Sequence, residues 1–116
     1  MTQIIRGDDR YLIENTFTQL TASGTTDGLL VQYIRNHTFQ VVVASINTSV
    51  TVRCEGSLDG TNYFNLSDAG ANTTITSNGT YLFHKYQFST KYIRFNFISE
   101  SGGTSATIDV TYLGTS

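Results

Sequence analysis

Bulky side chains recur at every second position along most of this chain. Successive residues of a β-strand point to opposite faces, so such a rhythm builds a strand with one face to bury. From Lys91 to Ile98, the residues Ile93, Phe95 and Phe97 share one face, with Tyr92, Arg94 and Asn96 opposite. Near the C-terminal end, Ala106, Ile108, Val110 and Tyr112 alternate with Thr107, Asp109 and Thr111. The stretch from His37 to Ile46 is apolar on both sides, Phe39, Val41 and Val43 on one and Val42 and Ala44 beside Gln40 on the other. Strands of that kind lie centrally in a sheet or at an interface. No segment keeps an i, i+3, i+4, i+7 apolar stripe for three turns, so no long amphipathic helix is predicted.

Further strands are predicted over 11–20, 29–35, 50–56, 62–66 and 81–88, with a short edge strand over 73–76. The runs 21–28 and 67–72 are small and polar and read as loops. Asp59-Gly60 and Asn78-Gly79 are hairpin signals, because glycine accepts the positive φ that tight connections demand. Short strands at regular spacing, joined by such turns, predict an all-β fold. The expected architecture is an antiparallel two-sheet β-sandwich, jelly-roll-like, of about eight strands. At 116 residues the chain fits one core. Residues 1–10 are set apart as an N-terminal arm, and residues 11–116 form the sandwich domain. Proline is absent, so sheet edges need another guard, for which pairing with a neighbouring subunit is one route.

Charged residues make up 14% of the chain, against a usual share of about 25%. Threonine, serine, asparagine and glycine replace them, which suits the exposed faces of antiparallel strands. The net charge of −2 and the scattered basic residues argue against nucleic acid as a partner. No stretch approaches the roughly 20 apolar residues of a membrane helix, and no membrane partner is expected. The first ten residues lack the apolar core of a signal peptide. Synthesis in a reducing cytoplasm is therefore expected, and the Asn-x-Ser/Thr sites at Asn36, Asn47, Asn65, Asn72 and Asn78 read as turn and strand-face residues. Cys54 is the single cysteine; alternation puts it on the face of Val50 and Val52, as a small buried hydrophobe.

Little in the sequence carries chemistry. His37 and His84 lie in strand context without an acid at useful spacing, and satisfied or surface histidines are expected. Asp8-Asp9 between Arg6 and Arg10 reads as a solvated arm, with docking to a partner's charges as the other possibility. No histidine–cysteine cluster has zinc spacing, and no glycine-rich loop opens a helix that would hold phosphate. Asp59, Asp68 and Asp109 have the chemistry to join a calcium site, but turn aspartates are the commoner case and no cofactor is expected. No serine or threonine sits in the pattern of an activated nucleophile, so the chain is not expected to be an enzyme.

Two segments carry a resemblance. Ser57-Leu58-Asp59-Gly60-Thr61-Asn62, before Tyr63-Phe64, and the later Tyr92-Ile93-Arg94 resemble the hairpin and strand landmarks of discoidin-like jelly-roll domains. The aromatic after the hairpin is Tyr63 where those domains usually have tryptophan. The resemblance implies fold and transfers no ligand residues. The second half, with Gly56–Asn62, Asn78–Tyr81 and Phe97–Thr104, also resembles small phage structural proteins of the capsid decoration, or cement, kind.

That likeness implies a non-enzymatic virion structural protein, made in the host cytoplasm, that binds the capsid surface and stabilises it. The expected partners are the major capsid protein or another virion protein and copies of the chain itself, three being the first guess. Ile4, Ile5, Arg6, Tyr81, Tyr86, Phe88 and Tyr92 are the candidate interface residues. The alternative is a carbohydrate-binding jelly-roll module; a phage tail, neck or fibre-tip component is a third option.

Overall fold

A computed structural model describes the backbone of residues 2–7 and 10 and all atoms of 11–66 and 71–116. Among these residues there is no helix. Eleven strands follow one another: β1 Thr2–Gly7, β2 Arg10–Thr16, β3 Gly24–Thr25, β4 Leu29–Leu30, β5 Asn36–Ala44 and β6 Ser49–Ser57. Then come β7 Phe64–Asn65, β8 Thr73–Ile75, β9 Gly79–Lys85, β10 Tyr92–Ser101 and β11 Thr107–Thr115.

One sheet has the order β1-β2-β11-β5-β9. The other is built on the β10–β6 pair, with β3 and β4 both along β10 and β7 and β8 both along β6. All pairings are antiparallel. When β3 with β4, and β7 with β8, each count as one interrupted strand, eight positions remain besides β1. Numbered along the chain, their orders are 1-8-3-6 and 2-7-4-5, which is the jelly roll of two interleaved Greek keys. The expected fold is therefore present, and the strand excess comes from two edges broken into short pieces and from β1.

The core lies between the sheets. Phe39, Val41 and Val43 of β5 and Ile108, Val110 and Tyr112 of β11 face Val50 and Val52 of β6 and Ile93, Phe95 and Phe97 of β10. Full burial of a side chain of this size stabilises by about 1.5–3 kcal/mol. Four rings anchor its centre, with Phe39 5.7 Å from Phe95 and 5.2 Å from Tyr112, and Phe83 5.5 Å from Phe95. The alternation that defined β10 and β11 in sequence is the alternation that fills this core.

Local differences have physical causes. The segment 29–35 is a strand only at Leu29–Leu30. Val31 donates to Lys91 O at 2.7 Å, and Ile34 N donates to Val31 O at 2.9 Å, which turns the chain towards the other sheet. Val31 and Ile34 are both buried by that turn, so their three-residue spacing belongs to a turn. Strand β2 ends at Thr16, yet Leu20 still exchanges backbone hydrogen bonds of 2.9 Å with Ile108. β10 runs on to Ser101 through a register shift between Phe97 and Ser99, a bulge at Ile98. Gly102, at φ +85°, turns the chain where a Cβ would collide with Thr48.

Thr2–Gly7, set apart above as an arm, pairs with β2 along its whole length, from Thr2 opposite Asn15 to Gly7 opposite Arg10. Asp8 and Asp9, and Asp68 of the second loop, lie outside the described residues. Both edges of the second sheet are cut into strands of two or three residues, a known defence against edge-to-edge pairing. β9, by contrast, is a seven-residue edge of the first sheet.

Candidate docking surface

Because Val50 and Val52 point inward, alternation turns Arg53 and Glu55 outward, and on β10 it does the same for Tyr92, Arg94 and Asn96. Register then sets Arg94 opposite Glu55 and Asn96 opposite Arg53. The result is a compact polar cluster on the outer face of the β10–β6 sheet. Glu55 Oε1 accepts from Arg94 Nε at 2.6 Å, and Oε2 accepts from Asn96 Nδ2 at 3.0 Å and from Arg53 Nε. The Glu55 side chain is fully covered, although its sheet face looks outward. Burial pushes its pKa up, but the Asn96 amide and the two guanidinium groups outweigh this and hold the carboxyl below its ordinary value.

Tyr63 closes the cluster from above. The Arg94 guanidinium lies 3.6 Å from the centre of its ring, a close cation–π contact. Gly28, across the sheet, leaves room for the Tyr63 hydroxyl, with which a Cβ at that position would collide. Tyr63 is itself carried by the turn after β6. There Asp59 Oδ1 accepts from the backbone of Thr61 and Asn62 at 2.8 Å, Asp59 Oδ2 accepts from Asn62 Nδ2 at 2.8 Å, and Ser57 Oγ lies 3.0 Å from Oδ1. The Asn62 and Thr61 donors, with Ser57, hold the Asp59 carboxyl far below the usual range. Gly60, at φ +78°, brings the turn against the ring of Tyr92. The hairpin and the Tyr92-Ile93-Arg94 strand, far apart in sequence, are thus packed into one surface.

Several other titratable groups make structural contacts. His37 is buried; Tyr112 Oη lies 2.6 Å from its Nδ1, and Nε2 lies 3.1 Å from Phe88 O. Both bonds are made when Nε2 carries the proton and donates to the carbonyl while the phenol donates to Nδ1. Burial lowers the His37 pKa, with the Phe88 bond opposing, and raises that of Tyr112. Cys54 packs against the core, and burial, with Glu55 adjacent, pushes its thiol up to about 12. His84, on the exposed side of β9, stacks on Tyr86 at 5.4 Å. Asp109 accepts from Gln19 Nε2 at 3.1 Å. Among the described residues no group of three histidine, cysteine, aspartate or glutamate side chains is placed to hold a metal ion, and no helix is long and apolar enough to cross a membrane.

The residues singled out from sequence do not form one patch. Ile4, Ile5 and Arg6 lie in β1, opposite Ile13, Leu12 and Tyr11, at one edge of the five-stranded sheet. Tyr81 and Tyr86 belong to the opposite edge: Tyr81 packs against the core and donates to Ser77 O at 2.6 Å, whereas Tyr86 is 61% exposed. Phe88 also packs against the core, with Lys85 Nζ 5.2 Å from its ring centre. Tyr92 is on the other sheet, beside the cluster. Sequence reasoning missed Arg53, Glu55, Tyr63 and Arg94. The available signal was Arg53-x-Glu55 and Arg94-x-Asn96, each pair on the outward face of a strand with an apolar inner face.

The strand order defines an antiparallel jelly-roll sandwich, with a charge-paired cluster on the outer face of one sheet. No protein-family pattern matches the chain, and no curated protein matches it. Among solved structures it is similar to the SPBc2 prophage-derived protein YomS, with 14% identity and a TM-score of 0.68 over 97% of this chain and 99% of that one. It is also similar to the K1 cleaved adhesin domain of Lys-gingipain from Porphyromonas gingivalis W83, with 17% identity and a TM-score of 0.57 over 91% and 73% of the two chains. A third likeness is to the PBSX exported protein XepA, with 12% identity and a TM-score of 0.53; the match covers 98% of this chain but only 43% of XepA. At these identities the likeness is one of fold.

Proposed function

We propose that this protein is a non-enzymatic virion structural subunit, and within that class a capsid decoration protein that docks on the major capsid protein and stabilises the shell. The observation that supports this reading best is the end-to-end match in fold and size to a protein derived from the SPBc2 prophage. The PBSX exported protein XepA supports it with a partial match. The surface is suited to the role: interrupted edges on one sheet, one seven-residue edge at β9, and an outer face carrying arginines and tyrosines, residue types enriched in interfaces. Stable contacts of this kind hide roughly 1,200–2,000 Å². A closed ring of subunits, three being the first candidate, would match a lattice position of the same symmetry. Mass spectrometry of purified particles tests the reading, together with light scattering of the isolated protein and binding to capsids. Absence from particles, with a strict monomer that ignores capsids, would overturn it.

A second reading, a carbohydrate-binding module, is favoured by one feature. Tyr33 is 64% exposed and stacks on Tyr11 at 5.2 Å and 20°, beside an apolar cavity of about 250 Å³ lined by Ile13, Leu30 and Ile34. Calorimetric binding of a neutral oligosaccharide, abolished in Tyr33→Ala, would support it; no heat with any glycan would remove it.

A further inference from the structure

Two arginines share one carboxylate on the outer face of the β10–β6 sheet. Since Arg94 opposes Glu55 and Arg53 opposes Asn96, the arginines are diagonal neighbours. Such pairs lie roughly 7–8 Å apart, within reach of one bridging group. Each binds Glu55 through Nε, and among the described residues the Nη groups of both have no hydrogen-bond partner. Their side chains remain 31% and 27% exposed. The cluster therefore holds a surplus of one positive charge, half-buried, in a chain of net charge −2. Glu55 behind both guanidinium groups and Tyr63 above that of Arg94 orient them before anything binds, which lowers the ordering cost of an association.

We propose that Arg53 and Arg94 form a recognition site for a single carboxylate, supplied by an aspartate or glutamate side chain of a partner protein seated on this face. The unused Nη donors match the paired oxygens of a carboxylate. A dianion suits the site less well, because only one positive charge is in surplus and the Glu55 carboxylate lies directly behind. The surroundings select a polypeptide over an acidic sugar. Leu30, 46% exposed, stands beside Tyr92 on the same face, while the ring face of Tyr63 is covered by Arg94 and Tyr92 is held by Gly60 and Lys91. Arginine, tyrosine and an aliphatic neighbour make the kind of cluster that dominates protein interfaces. The partner's nature rests on the docking reading above; the ion chemistry does not.

The test is a titration of the isolated protein followed at the arginine Nε–H resonances, with an acetylated hexaglutamate peptide, hexagalacturonate and inorganic phosphate as probes. Saturable shifts of Arg53 and Arg94 with the peptide are expected, lost by added salt and roughly tenfold weaker in Arg53→Gln. Should that variant not fold, Arg53→Lys keeps the charge, removes the forked donors, and is also expected to bind several-fold more weakly. No shift, a shift untouched by either substitution, or tighter binding of hexagalacturonate or phosphate than of the peptide would each overturn the proposal. A particle that contains the protein while the isolated chain ignores the peptide rejects the carboxylate site alone. Peptide binding by a protein absent from particles rejects the virion reading alone.

Discussion

Replacing Glu55 by glutamine probes the centre of the outer face directly. The carboxylate accepts from three donors, Arg53 Nε, Arg94 Nε and Asn96 Nδ2. Glutamine offers one acceptor oxygen, and its amide nitrogen must face a donor whichever way it turns. Charge-assisted hydrogen bonds contribute about 1.5–3 kcal/mol each when buried. Here the carboxylate is fully covered, but both arginines are about 30% exposed, so water recovers part of the loss. A destabilisation of about 2–3 kcal/mol is expected near neutral pH, equivalent to a fall in Tm of roughly 8–12 °C for a domain of this size. The pH dependence sharpens the test. The folded state holds Glu55 below its ordinary value of 4.5, so its contribution is complete above that pH and is lost as pH falls through the lower, folded value. Urea unfolding of both proteins should therefore show the full gap near pH 7 and a narrowing gap towards about pH 3. A variant within about 0.5 kcal/mol of the parent, or a gap independent of pH, would refute the idea that this carboxylate holds the outer face together.

Further expectations follow from the same contacts. Tyr112→Phe removes the donor to buried His37 Nδ1 and should cost about 1–3 kcal/mol in chemical unfolding. Since His37 is held neutral by burial, with its pKa below 6.5, overall stability should also decline as pH drops below that value, because the unfolded chain then binds the extra proton; a His37→Gln variant that keeps the full slope would contradict this. Cys54, its thiol pushed up to about 12, should react with a disulfide reagent near pH 8 at least ~100-fold more slowly than in the unfolded chain; equal rates would show it accessible. Gly28→Ala should move Tyr63 off Arg94, seen as a shift of the Arg94 Nε–H resonance with less than about 1 kcal/mol lost. An unshifted resonance would place Tyr63 elsewhere.

Alternation alone determined a good part of this protein. Ile93, Phe95 and Phe97, and Ile108, Val110 and Tyr112, could only be inner faces of half-buried strands, and every one of them is buried. The glycine turn at Gly60 was likewise legible, because positive φ restricts the residue locally. Register was not. Whether Arg94 meets Glu55, or Tyr112 meets His37, depends on strands brought together from distant parts of the chain, and a two-residue rhythm looks the same after every two-residue slip. Only the folded sandwich decided that Arg53, Glu55, Tyr63, Arg94 and Asn96 share one surface, that Tyr81 and Phe88 lean on the core, and that Val31 and Ile34 belong to a turn. Pattern along a chain reports which way side chains face; which of them become neighbours is set by long-range pairing.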